Sequence, residues 1–444
     1  MELGFRNIHD FVSGILPDGL EWIAFSISGI FIALVVINAL VGVAALYTWF
    51  ERRVLGRFQS RLGPNRWGPF GLLQPLADII KLITKEDISP NSADRIVSTL
   101  APIALLVPAF LVFAIMPFGA NSFLGDLNVG VLFIMGVTGM NTFGIFMGGW
   151  GSRNKYAMLG AMRGVAMLVS YEVPMALALA GAVLLAGSLS LSGIVASQTL
   201  PFLIVQPLGF LVFIIAASAE MSRAPFDMIE AESELTGGYH TEFSGIKFAI
   251  FQLAEFMAPL VTAAILTVVF LGGSRGPDLI PGQVWFILKA LAATFFLLWI
   301  RATWPRLRVD QIMGFAWKGL FPLALLNIFL IAAEIQFFQS GGIEPIGVST
   351  LLIMSGINWL VTGIAIYILA NVLGQPSLQP KKPVPSPLAN MYAETRSTHS
   401  FEPRYSRLPT FSVGQMYPDG RVLLASRHVK IPYEAFFFQN FGHC

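Results

Sequence analysis

Long apolar runs separated by short polar breaks make up most of this chain, and nine of them are long enough to cross a lipid bilayer as helices. They are predicted near residues 22–50, 98–117, 129–150, 165–187, 200–221, 248–271, 283–304, 319–338 and 348–372. The polar segment 51–97 is the longest break. It opens as ERRVLGRFQSRLGPNRWGPFG, rich in Arg and Gly and unlike a helix core, so a loop is expected there. It continues as LLQPLADIIKLITKED, where Leu72, Leu73, Leu76, Ile79, Ile80 and Ile83 recur at helical spacing around Asp78, Lys81 and Lys85. That pattern predicts an amphipathic helix lying at the membrane interface or against a partner. The chain then divides into an N-terminal segment (1–21), a membrane domain (22–339), an additional transmembrane helix (340–373) and a Pro-rich linker with a basic tail (374–444). The tail carries YEAFFFQNF and is expected to dock on another surface.

Composition agrees with an all-α polytopic membrane protein. The 444 residues are 55% hydrophobic and 12% charged, with 37 Phe and a mean hydropathy of +0.69. The net charge of +2 conceals a segregation of cations. Nine crossings leave ten polar segments on alternating sides, and one set holds 25 of the 28 Lys and Arg: eight in 51–97, three in 151–164, two in 222–247, four in 301–318 and eight from 373 onward. Arg6 and Arg275 fall on the other side and Lys289 within a span. The positive-inside rule therefore predicts the N-terminus outside and the tail in the cytoplasm. The one Cys is Cys444, so this chain is not expected to hold a disulfide, an iron–sulfur cluster or a CxxC zinc site. None of the five His falls in a predicted span, which argues against a membrane haem, and no Walker loop or GxGxxG fingerprint is present. The first twenty residues lack the basic region of a signal or transit peptide.

Carboxylates are the candidate chemistry. Between Glu220 and Glu234 the chain reads EMSRAPFDMIEAESE, with Glu220, Asp227, Glu230, Glu232 and Glu234 against one cation, Arg223. Pro225 suits a helix start and Gly237-Gly238 a stop, predicting a short helix with Asp227, Glu230 and Glu234 on one face and Glu232 turned away. A solvated loop helix is the plain reading and a proton-holding cluster the functional one. Glu255 lies seven residues into a predicted span, and Pro259 removes the amide that would have bonded its backbone carbonyl. Glu172, with Pro174 behind it, repeats that device, and Glu220 ends a span. Each is either a structural ion-pair member or snorkelling acid, or a functional group facing the bundle interior. Lys289 and Glu334 sit near span ends, where an interfacial position explains them. The Arg run at 52, 53, 57, 61 and 66 reads as a topology signal, a lipid headgroup site or the polar mouth of a tunnel.

Five motifs together, ERRVLGRFQSRLGPNRWGPFGLLQPLADIIKLITKED, YAMLGAMRGVAMLVSYEVP, AEMSRAPFDMIEAESELTGGYHTEFSG, MAP following AE, and WIRATWPRLRVDQIM, resemble the membrane subunit of respiratory complex I that adjoins the quinone tunnel. The likeness is collinear from about residue 22 to about 339. It implies tilted transmembrane helices at the heel of the complex, with two loops closing over a tunnel through which a lipid quinone reaches the soluble arm. On that likeness Glu51, Arg52, Arg61, Asp78, Lys81, Arg223, Phe226, Asp227 and Arg301 belong to the quinone tunnel. Glu172, Glu220, Glu230, Glu232, Glu234 and Glu255 belong to a chain of buried carboxylates that couples quinone reduction to proton translocation, and Arg306 and Asp310 match the motif after the seventh helix. The resemblance also implies a bacterial cytoplasmic membrane location, no cofactor held by this chain, quinone as substrate, and as partners the soluble quinone-site and iron–sulfur subunits, small membrane subunits and antiporter-like subunits; no nucleic acid is expected. The family usually ends at the helix equivalent to 319–338, so the last span and the tail are additions. Two other functions stand against this one. Related subunits anchor membrane-bound hydrogenases and ferredoxin-linked complexes, and a free-standing transporter would show an inverted repeat, of which the sequence has no matching halves.

Overall fold

The computed structural model describes residues 10, 13, 21–119, 125–229, 237–277, 280–340 and 347–373. Glu230, Glu232, Glu234 and the tail from 374 lie outside these residues. Within the described residues the fold is entirely helical. Helix α1 is Glu21–Phe58, α2 Gln74–Thr84, α3 Arg95–Ala114, α4 Gly130–Thr138, α5 Met140–Gly151, α6 Lys155–Ala186 and α7 Leu191–Ser197. They are followed by α8 Phe202–Val205, α9 Pro207–Glu220, α10 Gly245–Phe270, α11 Gly282–Thr303, α12 Val309–Phe315, α13 Phe321–Ser340 and α14 Val348–Leu373. Among the described residues, eight helices are long and apolar enough to cross a membrane, counting α4 with α5 and α12 with α13 as single spans.

The expected elements occur with altered ends. Helix α1 continues to Phe58, so Glu51, Arg52 and Arg53 are helical and not part of a loop. At about 1.5 Å per residue its 38 residues reach roughly 57 Å, well past a hydrocarbon core of about 30 Å, which is length enough for the Arg-rich turns to lie beyond lipid depth. The predicted span 200–221 is a broken helix, one turn of α8 and then the 14 residues of α9, interrupted at Gln206 where Pro207 supplies no amide. The predicted helix from Pro225 is absent over 225–229, which is turn and bend. There the backbone hydrogen bonds go elsewhere: Phe226 N–H donates to Arg223 O at 2.9 Å and Leu307 N–H donates to Pro225 O at 3.1 Å.

Helix α10 forms the centre of the bundle, enclosed by α1, α3 and α11, with Met257, Val268 and Phe270 inaccessible to solvent. Helices α3 and α5 pack closely enough that a Cβ on Gly144 would fall 3.0 Å from the Leu105 backbone nitrogen. Such close approach is the usual substitute for a hydrophobic driving force between helices in lipid. Helix α2 is amphipathic as expected and rests against α1 and α10, leaving Leu76, Ile80 and Ile83 exposed. Lys289 closes the far end of α10: its Nζ donates to the carbonyls of Leu271 at 2.7 Å, Gly273 at 3.1 Å and Arg275 at 2.6 Å.

Candidate functional site: a buried carboxylate–arginine centre

Four charged side chains from four parts of the chain converge beside α10. Glu51 of α1 is 3% exposed and receives Arg223 Nη1 on its Oε1 at 2.5 Å; Arg301, near the end of α11, contacts the same oxygen. The second nitrogen of Arg223, Nη2, lies 3.2 Å from Glu255 Oε1 and donates at 3.5 Å to the Glu255 backbone carbonyl. That carbonyl is the one Pro259 leaves without an amide, so the irregularity legible in the sequence is where the arginine arrives. Gln252 Nε2 steadies the other carboxylate oxygen at 2.8 Å, and the Arg223 guanidinium lies 4.9 Å from the centre of the Phe256 ring. Two acids and two arginines share this space, so the formal charge balances. Each ion out of water still costs several kcal/mol, about what its partners return.

The loop after α9 is held over this centre by the segment after α11. Asp227 pairs with Arg306, and Phe226 is buried against Tyr171 with ring centres 5.2 Å apart. Tyr171 Oη in turn donates to the Ile312 carbonyl at 2.9 Å. Arg52 Nη1 lies 2.6 Å from Asp78 Oδ2, fastening α1 to α2, and Lys81 stands 3.7 Å from the same carboxylate. Arg61 is exposed and donates to Gln59 at 2.6 Å.

Two cavities lie inward of Glu255. One, with room for water-sized guests over about 70 Å³, runs between Glu255 and Glu220 and is lined also by Asn141, Thr138, Ser222 and Tyr239. The second, about 10 Å³, lies between Glu220 and Glu172 and again touches Thr138 and Asn141. On the same scale a water needs roughly 10–15 Å³, so the first has room for several and the second for one at most. Glu172 reaches the joint between α4 and α5, where a Cβ on Gly139 would sit 2.7 Å from its Oε1.

The structure thus regroups the expected residues. Glu51, Arg223 and Arg301 meet as a set, and Glu255, one of the expected coupling acids, is paired with Arg223 in the same centre. Glu220 and Glu172 follow it inward. Phe226 and Asp227 hold the loop above, while Arg52, Asp78 and Lys81 form a separate group and Arg61 joins neither. Tyr47, Gln252, Phe256, Gly139 and Asn141 belong to the site without any mark in the sequence motifs. Tyr47 lines the cavity of Arg223 and Arg301, and its position four residues before Glu51 on one helix face is the one signal that could have found it.

A family model described as NADH dehydrogenase matches residues 30–332. The NADH-quinone oxidoreductase H subunit of Dehalococcoides mccartyi strain CBDB1 is 53% identical over 68% of this chain and 86% of its own length. The proteins of that name from Brevibacillus brevis (48% identical, 70% of this chain and 93% of the relative) and Bacillus cytotoxicus (46%, 74% and 99%) are similar to it over those stretches. The matched range contains every member of the centre and both cavities, and stops before α14. The chain belongs to the NADH dehydrogenase family, among the relatives of this membrane subunit of respiratory complex I.

Proposed function

We propose that this chain forms the quinone access tunnel of a proton-translocating NADH:quinone oxidoreductase and passes the effect of quinone reduction to buried carboxylates. The observation that supports this reading most is the meeting of Glu51, Arg223, Glu255 and Arg301, with Glu255 lining a cavity that also reaches Glu220, and Glu220 lining a second cavity with Glu172. Quinone reduction takes two electrons and two protons. A headgroup gaining negative charge near Arg223 and Arg301 competes with Glu51 and Glu255 for the same guanidinium donors. A carboxylate released from its arginine in a low-dielectric site takes up a proton, and cavity water offers the path onward to Glu220 and Glu172. Electrons come from partner subunits, and no cofactor is assigned to this chain. The charge segregation supports a position of Arg223 and Arg301 on the cytoplasmic side of a bacterial membrane, with the N-terminus outside.

The test is Glu255→Gln in the assembled complex, which keeps the volume and removes the titratable charge. Quinone reduction and proton pumping are expected to fall together. An assembled Glu255→Gln enzyme that pumps at the parental rate, even with lowered thermal stability, would reduce Glu255 to a structural ion-pair partner.

A further inference from the structure

Helix α9 has the carboxylate–arginine centre at its Glu220 end, and a second set of buried polar groups at the other. Gln206, in the break between α8 and α9 with φ −128° and ψ 72°, is 0% exposed, and Asn327 on α13 is 1% exposed. Neither the nitrogen nor the oxygen of either side-chain amide has a hydrogen-bond partner among the described residues. The two amides lie together against the same glycines: a Cβ on Gly181 of α6 would lie 2.7 Å from Asn327 Nδ2 and 3.0 Å from Gln206 Oε1, and a Cβ on Gly209 would lie 2.9 Å from Asn327 Nδ2. A buried polar group in a native protein ordinarily has water when it has no protein partner.

The region next to these amides is built by the part of the chain past the family match. Glu334, two residues beyond residue 332, is 7% exposed and receives Asn358 Nδ2 of α14 at 2.9 Å. Ser355 Oγ and Trp359 Nε1, also on α14, donate at 2.9 Å and 3.1 Å to the carbonyl of Ile204. The break at Gln206 releases that carbonyl from the helical ladder. Helix α14 is therefore fastened over the break by side chains that match what the break exposes.

We propose that Gln206 and Asn327 bind buried water at the α8–α9 break, and that α14 closes this water site. The donor set selects the guest. Two amide nitrogens and two amide oxygens present both signs of hydrogen-bonding group, which suits water with its two to four polar partners; a cation would leave the nitrogens facing it. The site uses no member of the carboxylate–arginine centre, so it stands or falls independently of the quinone reading.

The experiment compares intact complexes carrying Asn327→Leu, Gln206→Leu and both. If water satisfies the amides, each single variant lowers the midpoint of thermal inactivation by several degrees, because it strips the water of a partner and strands the remaining amide, and the double variant recovers part of the loss. If the amides are dry, each leucine replaces an unsatisfied polar group and the midpoint rises, which overturns the proposal. A high-resolution map of the unmodified complex provides the second reading and does not depend on any variant assembling: ordered water between the two amides supports the site, and well-defined amides with nothing between them overturn it. Ser355→Ala with Trp359→Phe unfastens α14 while keeping both amides. It is expected to weaken the water density, and unchanged density would remove α14 from the site.

Discussion

Arg223 donates to Glu51 across 2.5 Å although 172 residues separate them in the chain, and both side chains are about 95% shielded from solvent. Their contact joins the end of the first long helix to the loop after α9. Arg301 on the same Glu51 oxygen, and Glu255 on the other Arg223 nitrogen, make the pair the middle of a chain of four charges.

Arg223→Met should therefore do more than remove one cation. It leaves Glu51 with Arg301 alone and Glu255 without its cationic partner, and breaking a buried pair in this way costs about 3–5 kcal/mol. The expected result is a marked fall in thermal stability of the purified complex together with loss of quinone reductase activity. Adding Glu255→Gln to Arg223→Met should restore part of the stability and none of the activity. Parental stability in the single variant would show that the pairing does not hold the loop.

Gly139→Ala tests the placement of Glu172. The added Cβ would sit 2.7 Å from Glu172 Oε1, so the carboxylate must move away from the cavity it shares with Glu220. Proton pumping should drop severalfold in complexes that assemble normally. Glu172→Asp, shorter by one methylene of about 1.5 Å, should rescue pumping when combined with Gly139→Ala but not improve it alone. Equal pumping in parent and Gly139→Ala would mean that the Glu172 position is unimportant to coupling.

Lys289→Met is the structural counterpart. Nζ serves three carbonyls at the end of α10, and hydrogen bonds from a charged donor contribute about 1.5–3 kcal/mol each. A lower thermal midpoint with parental turnover per assembled complex is expected. A change in turnover instead would link this end of α10 to the reaction.

Cys444 reports the topology chemically, since it is the chain's one cysteine. With 25 of 28 cations in segments on one side, a membrane-impermeant thiol reagent should modify it only from the cytoplasmic face of membrane vesicles. Modification from the outer face of intact cells would reverse the orientation or remove a crossing.

Hydropathy and helical period are local properties that neighbouring residues carry in full, so the membrane class, the long helices and the amphipathic helix at 74–84 are legible in the chain without its fold. The open backbone at Glu255 is legible too, since Pro259 acts on a carbonyl four residues away. What that opening is for depends on packing. Nothing in the runs around Glu51, Arg223, Glu255 and Arg301 encodes that they meet, as their encounter depends on how α1, α10 and α11 pack around the α9 loop. The same limit explains the absent helix at 225–229. Local signals favour it, but Phe226 packs on Tyr171, Asp227 binds Arg306 and the Pro225 carbonyl takes the Leu307 amide, all contacts from distant segments. Glu334 shows it once more: its place near a helix end predicts an interfacial acid, and only the arrival of Asn358 on α14 makes it a buried one.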